Sequence, residues 1–181
     1  MIVLGIDPGT RRLGWGVVER QGTRLVHRAH GVIRADERLP IASRLVTIEC
    51  DLVEVVRAHA PLVASVEALF YAKDAQAAAK LGHARGVVLL VCARAGLEVF
   101  EYAPALVKRA VAGSGRAEKA QVAQMIRIVL GLSIAPPSDA ADALALAVTH
   151  LQRPQALILA QSSRERIVQS PAAGIKRRPT G

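Results

Sequence analysis

Two hydrophobic periods alternate along the chain. The first stretch, Ile2-Val3-Leu4-Gly5-Ile6, is continuously apolar and runs into Asp7-Pro8-Gly9, the pattern of a buried strand entering a turn. Arg11-Arg12 lead into an apolar segment from Leu13 to Glu19, Gln21-Gly22-Thr23 is a hairpin signal, and Arg24 to Ala35 alternates. Three strands joined by short turns predict an antiparallel meander. From Leu39 to Ala60 the period changes: Ile41, Leu45, Ile48, Leu52 and Val55 share one helical face, and Ala60-Pro61 closes the helix. Leu62 to Glu67 is a second short apolar strand that ends, like the first, on a carboxylate. Residues 74–95 predict a long Ala-rich helix, Leu97 to Tyr102 a strand, Pro104 to Val111 a short helix and Ala117 to Leu130 a further one. After the break at Pro136-Pro137-Ser138, Asp139 to Ala147 reads as the last helix. The expected architecture is α/β, with a domain over residues 1–152 and a basic, weakly ordered tail over 153–181, where Pro, Ser, Gln, Arg and Lys dominate.

Composition narrows the class. An apolar fraction of 51% over 181 residues suits one domain with a sizeable core and excludes a disordered chain. The net charge of +9 points toward a polyanion. No signal peptide is expected, because Asp7 and two glycines interrupt the early apolar run, and the longest apolar candidate, Val87 to Ala93, is closed by Arg94 well short of a membrane span. Cys50 and Cys92 sit singly in apolar helical patterns and are expected to be small core hydrophobes, without zinc spacing. These readings predict a cytosolic protein without membrane partners.

The candidate chemistry lies in carboxylates. Asp7 either starts the turn, as Asp commonly does before Pro, or belongs to a site. The helix between the meander and the Leu62–Glu67 strand can act as a crossover, which lets that strand lie parallel to the first and brings Asp7 and Glu67 side by side at one sheet edge. Asp139 and Asp142 are three apart and share a helical face. They can serve as cap and first-turn acid, or join the other two. Four carboxylates without a His or Cys cluster suit a hard, oxygen-seeking ion such as Mg²⁺ or Mn²⁺. In the 74–95 helix, Ala75, Ala78, Ala79, Gly82 and Gly86 form a face with little side chain. It can pack on the protein's own sheet or against a second copy across a two-fold axis. Gly113-Ser114-Gly115 follows a helix and not a strand, which excludes a dinucleotide-binding loop.

The chain resembles the RuvC family of Holliday-junction endonucleases, which have an RNase H-like fold. The resemblance rests on Gly5-Ile6-Asp7-Pro8-Gly9-Thr10, Val66-Glu67 followed by Phe70-Tyr71-Ala72-Lys73, Ala79-Lys80-Leu81-Gly82-His83-Ala84-Arg85-Gly86, Phe100-Glu101-Tyr102, Val107-Lys108, Ala117-Glu118-Lys119-Ala120-Gln121-Val122 and Asp139-Ala140-Ala141-Asp142-Ala143-Leu144-Ala145. These segments occur in family order over roughly residues 1–152. Two departures are visible: His83 stands where Gln is expected, and Asp139 where some members carry His.

The resemblance implies a five-stranded mixed sheet flanked by helices, and a homodimer that cuts four-way DNA junctions by paired nicks, in concert with a RuvA–RuvB branch-migration complex. It assigns Asp7, Glu67, Asp139 and Asp142 as acids holding two Mg²⁺ ions, with Mn²⁺ as an alternative, and Lys108 and Lys119 as lysines near the scissile phosphate. Phe70 would stack on an unpaired base with Tyr71 beside it. Arg11, Arg12, Lys73, Lys80, Arg85 and Arg116 are the expected phosphate contacts, and Ala78, Gly82 and Gly86 the expected dimer face. Competing readings are an RNase H-like nuclease acting on RNA–DNA hybrids or flaps, and a non-catalytic junction-binding protein. An actin-like ATPase or sugar kinase would need a second phosphate loop and a nucleotide domain for which this chain is too short.

Overall fold

A computed structural model describes residues 1–68 and 75–153, with backbone alone at 75–77. The strands are β1 (Ile2–Asp7), β2 (Arg12–Gln21), β3 (Arg24–Arg34), β4 (Val63–Glu67) and β5 (Glu98–Tyr102). The helices are α1 (Ile41–His59), α2 (Ala75–Arg94), α3 (Pro104–Ala112), α4 (Lys119–Val129) and α5 (Ser138–Gln152). They form the expected mixed sheet, in the order β3-β2-β1-β4-β5. The meander β1–β2–β3 is antiparallel; α1 carries the chain across to β4, which pairs parallel with β1 in the register Val3↔Val63 to Ile6↔Val66. β5 then pairs parallel with β4, placing Glu67 opposite Tyr102.

Strand alternation divides the apolar residues between two cores. Leu4 and Ile6 of β1, Ala64 and Val66 of β4 and Leu13 and Val17 of β2 pack under α1 and α2 with Ile48, Leu52, Val88 and Cys92. Val3, Val63, Phe100 and Tyr102 lie on the other face, against α3, α4 and α5. The residues next in alternation, Gly5 and Ser65, meet α5: a methyl group at Gly5 would run into the Ala143 carbonyl, and the Ser65 hydroxyl donates to the Leu146 carbonyl at 2.9 Å. The same alternation sends the side chains of Asp7 and Glu67 to the α5 face.

Helix ends follow local chemistry. α1 closes at Ala60, left-handed with φ 43, whose N–H donates to the Val56 carbonyl. Gly113, with φ 76, closes α3, and a capping box between Glu118 and Gln121 opens α4. Asp139 does not cap α5: Pro137 holds the cap position without a side-chain bond, and Asp139 lies in the first turn. One cysteine departs from expectation. Cys92 is buried, but Cys50 is exposed because α1 covers the sheet through Ile48 and Leu52 and turns residue 50 outward. No helix among the described residues is long and apolar enough to cross a membrane. Apart from Arg153, the expected tail lies outside the described residues.

Candidate active site

The C-terminal ends of β1 and β4 set Asp7 and Glu67 side by side, and the N-terminal half of α5 crosses the same edge. Two glycines of the central strands let α5 lie this close. A side chain at Gly14 would collide with the Asp139 carbonyl, just as one at Gly5 would meet Ala143. The result is a cleft of about 260 Å³ lined by Asp7, Glu67, Pro104, Val107, Lys108, Lys119, Val122, Asp142 and Leu146. α3 contributes Lys108 and α4 contributes Lys119, so the meander, the crossover strand and three helices all supply the site.

The electrostatics are those of crowded acids. Burial, then Glu67 and Asp142, with a smaller push from Asp139, lift the Asp7 pKa from 3.8 to about 7, against the pull of Lys119. The Glu67 carboxyl is raised for the same reasons, burial first and Asp142 second, with Lys119 and Lys108 opposing. Lys119 donates to Asp142 Oδ2 at 2.7 Å, and that bond raises the lysine pKa. Arg12 Nε stands 2.7 Å from Asp139 Oδ2. The contact is a charge pair without hydrogen-bond alignment, and this buried oxygen has no hydrogen bond.

This donor set fits a hard divalent cation. The donors are carboxylate oxygens; Asp7 and Glu67 are destabilised by burial and by neighbouring carboxylates, and the Asp139 oxygen is buried without a hydrogen bond. Among the described residues no three acids, histidines or cysteines stand together as a finished ligand shell. Lys119 and Arg12 instead hold Asp142 and Asp139. A cation held by these carboxylates would compete with Lys119 and Arg12 for Asp142 Oδ2 and Asp139 Oδ2.

The remaining candidates separate clearly. Lys80 and Arg116 are exposed, and Arg11 is exposed in a surface pair with Glu37. Arg12 faces Asp139. Arg85 departs from the expected phosphate contact: it is 7% exposed, with its guanidinium on the Glu67 carbonyl and the Glu101 carboxylate. Its position in the 81, 84, 85, 88 helical stripe, otherwise apolar, was the available signal of burial. Ala78 and Gly86 are exposed and Gly82 half-buried, and a side-chain carbon at either glycine would meet nothing within 4 Å. Among the described residues of the small-residue face, Ala78, Ala79 and Gly86 are thus turned away from the protein's own sheet. Phe70, Tyr71 and Lys73 lie outside the described residues.

The comparisons with known proteins agree with this layout. A family profile described as "Crossover junction endodeoxyribonuclease RuvC" matches residues 3–150. A protein of that name from Sorangium cellulosum is 63% identical over 151 residues, 83% of this chain and 84% of the relative. The structure of Thermus thermophilus RuvC in complex with Holliday junction substrate is 40% identical and superposes with a TM-score of 0.79, covering 83% of this chain and 93% of that one. The yeast mitochondrial Holliday junction resolvase Ydc2, 12% identical with a TM-score of 0.59 over 91% of this chain and 85% of that one, shares the fold. With a family match over most of its length and the fold to go with it, the chain belongs to the RuvC family of crossover junction endodeoxyribonucleases.

Proposed function

We propose that the protein is a structure-selective endonuclease that resolves four-way DNA junctions by metal-assisted phosphodiester hydrolysis. The observation that carries this reading is the cleft in which Asp7, Glu67 and Asp142 meet Lys108 and Lys119 at the edge of an RNase H-like sheet. The Thermus relative, recorded with a Holliday junction substrate, supports the substrate class.

Asp7, Glu67, Asp139 and Asp142 would hold two divalent cations, Mg²⁺ or Mn²⁺. When bound, such ions lower the pKa of water so that it attacks phosphorus at neutral pH, and they offset charge on the leaving oxygen. The protein's own residues do the rest. The buried ends of β1 and β4 fix two of the acids against the sheet. Lys119 leaves Asp142 and turns its ammonium toward the phosphoryl oxygens, where negative charge grows in the transition state. Lys108, supplied to the same cleft by α3, binds the same phosphate. Hydrolysis yields a 5′-phosphate and a 3′-hydroxyl. Phe70 stacks on a base at the junction, with Tyr71 beside it, while Arg11, Lys73, Lys80 and Arg116 bind flanking phosphates. A two-fold dimer through Ala78, Gly82 and Gly86 presents two such sites to a nearly two-fold junction, which accounts for paired cuts. The setting is the bacterial cytoplasm, with a RuvA–RuvB complex as partner, and residues 153–181 form a basic tail.

The experiment compares wild type with Asp7→Asn on a labelled mobile four-way junction and a matched linear duplex, in Mg²⁺ and in EDTA. The expected outcome is paired nicking of the junction in Mg²⁺ only, abolished in Asp7→Asn while junction binding persists. Nicking by the variant at the wild-type rate would return Asp7 to a turn role. Junction binding without cutting by wild type would make the protein a non-catalytic binder.

A further inference from the structure

Arg85 lies on the inner side of α2, among Ala84, Val88, Val91 and Cys92, and its side chain is 8% exposed. A guanidinium keeps its charge when buried, so it needs an anion and acceptors around it. Arg85 has both. Its Nη1 donates to the main-chain carbonyl of Glu67 at 2.8 Å, and its Nη2 pairs with the Glu101 carboxylate.

The parallel register explains how one side chain reaches both. Glu67 lies opposite Tyr102, and Glu101 opposite Val66. Alternation sends the Glu67 side chain to the α5 face and the Glu101 side chain to the α2 face. Arg85, arriving from α2, therefore meets the Glu101 carboxylate but only the backbone of Glu67. It holds the end of β4 and leaves the Glu67 carboxylate free in the cleft. The neighbouring bond, from the Ala68 N–H to the Tyr102 carbonyl at 2.9 Å, keeps β4 in register with β5 at the same point.

We propose that Arg85 is a positioning residue for Glu67: the buried guanidinium, tied to Glu101, fixes the Glu67 backbone and so sets where the Glu67 carboxylate meets Asp7 and Asp142. The proposal rests on the reading of Glu67 as a cation-holding acid. It also gives α2 a direct mechanical link to the site, because the helix that bears the open Gly82–Gly86 face grips the catalytic strand from behind.

The test uses the full-length protein, a synthetic four-way junction and Mg²⁺, with Arg85→Lys, Glu101→Gln and Glu67→Gln. Lysine keeps the charge but has one compact donor head and cannot span both acceptors. For Arg85→Lys the expected result is a single-turnover cleavage rate of bound junction lowered by about 10- to 100-fold. More Mg²⁺ is needed for half-maximal rate, while junction affinity in Ca²⁺ and its salt dependence stay at wild-type values. Glu101→Gln keeps the bond to the Glu67 carbonyl and shows a smaller loss in the same two quantities.

Wild-type rate and Mg²⁺ requirement in Arg85→Lys, with Glu67→Gln inactive, would overturn the proposal and leave the site reading intact. Wild-type cleavage by Glu67→Gln would overturn the site reading itself. Weaker junction binding, with the salt slope of log K reduced by about one and the rate of bound complex unchanged, would make Arg85 a phosphate contact after all. If Arg85→Lys does not fold by circular dichroism, Glu101→Gln decides: a wild-type rate and Mg²⁺ requirement in that variant overturns the proposal.

Discussion

Asp7 ends a buried strand, and burial together with Glu67 and Asp142 lifts its pKa to about 7. Such a carboxylate stores electrostatic energy that cation binding or protonation relieves. Asp7→Asn is therefore expected to raise the melting temperature of the metal-free protein at pH 8 by a few degrees, as thermal unfolding in EDTA measures. His150 has the opposite pH signature. It is fully buried, 4.6 Å from the Phe100 ring by centroids, with Nδ1 2.8 Å from the Tyr102 hydroxyl and Nε2 without a hydrogen bond. Burial, then Arg153, lowers its pKa from 6.5 to about 4. Between those two values the unfolded chain binds a proton that the folded chain does not, so this contribution to stability is complete above pH 6.5 and is lost as pH falls toward 4. The loss is on the order of 3 kcal/mol. Asp7 contributes with the reverse sign over much of that window, so the checking measurement is the difference between wild type and His150→Gln in chelator at each pH. The difference is expected to shrink as pH falls. Neither shift was legible in the sequence, where His150 is one of five scattered histidines and Asp7 could equally have served its turn.

At the scale of elements, hydrophobic period located each strand and helix among the described residues, because burial of an amphipathic face decides element type. It fell short at the end of α5, expected to reach Ala147 and observed to run to Gln152. Val148, Thr149 and His150 have modest helix propensity; burying all three against the sheet overrides it. The seat of α5 was also hidden. A strand containing Gly5, Gly14 or Gly16 reads as weak, yet these glycines are what allow the helix to touch the sheet backbone. Gly5→Ala inserts a methyl group into the Ala143 carbonyl and is expected to cost about 1 to 3 kcal/mol, measured by chemical denaturation. Because it displaces Asp142 relative to Asp7, it is also expected to raise the Mg²⁺ needed for half-maximal cleavage. An unchanged denaturation midpoint would show that α5 is not seated there.

For the whole molecule, the crossover through α1 is the decisive event. It makes β4 parallel to β1 and aligns two carboxylate-ended strands that lie far apart in sequence. The second consequence is the division of labour among the helices. α3, α4 and α5 build the cleft on one face; α1 and α2 cover the other and leave the Ala78, Gly82 and Gly86 side of α2 open. Gly86→Arg places a charged, bulky group on that open side without a clash inside the protomer. It is expected to shift sedimentation from dimer to monomer, and to convert paired cuts on a junction into single nicks. A variant that remains dimeric with paired cutting would place the interface elsewhere.

By itself the sequence determined the α/β class and the parallel pairing of the two carboxylate-ended strands, since these follow from apolar period and connection length, while the grouping of Asp7, Glu67, Asp139 and Asp142 as one set of acids came from the family resemblance. Only the tertiary structure decided the directions of the long side chains. Arg12 and Lys119 turned to Asp139 and Asp142, and Arg85, expected at the DNA, turned inward to the Glu67 carbonyl and Glu101. Local pattern reports whether a position is polar, but a flexible cation is settled by whichever anion or acceptor the fold brings within its reach. Those partners come from other strands and helices, beyond the few residues over which local pattern operates.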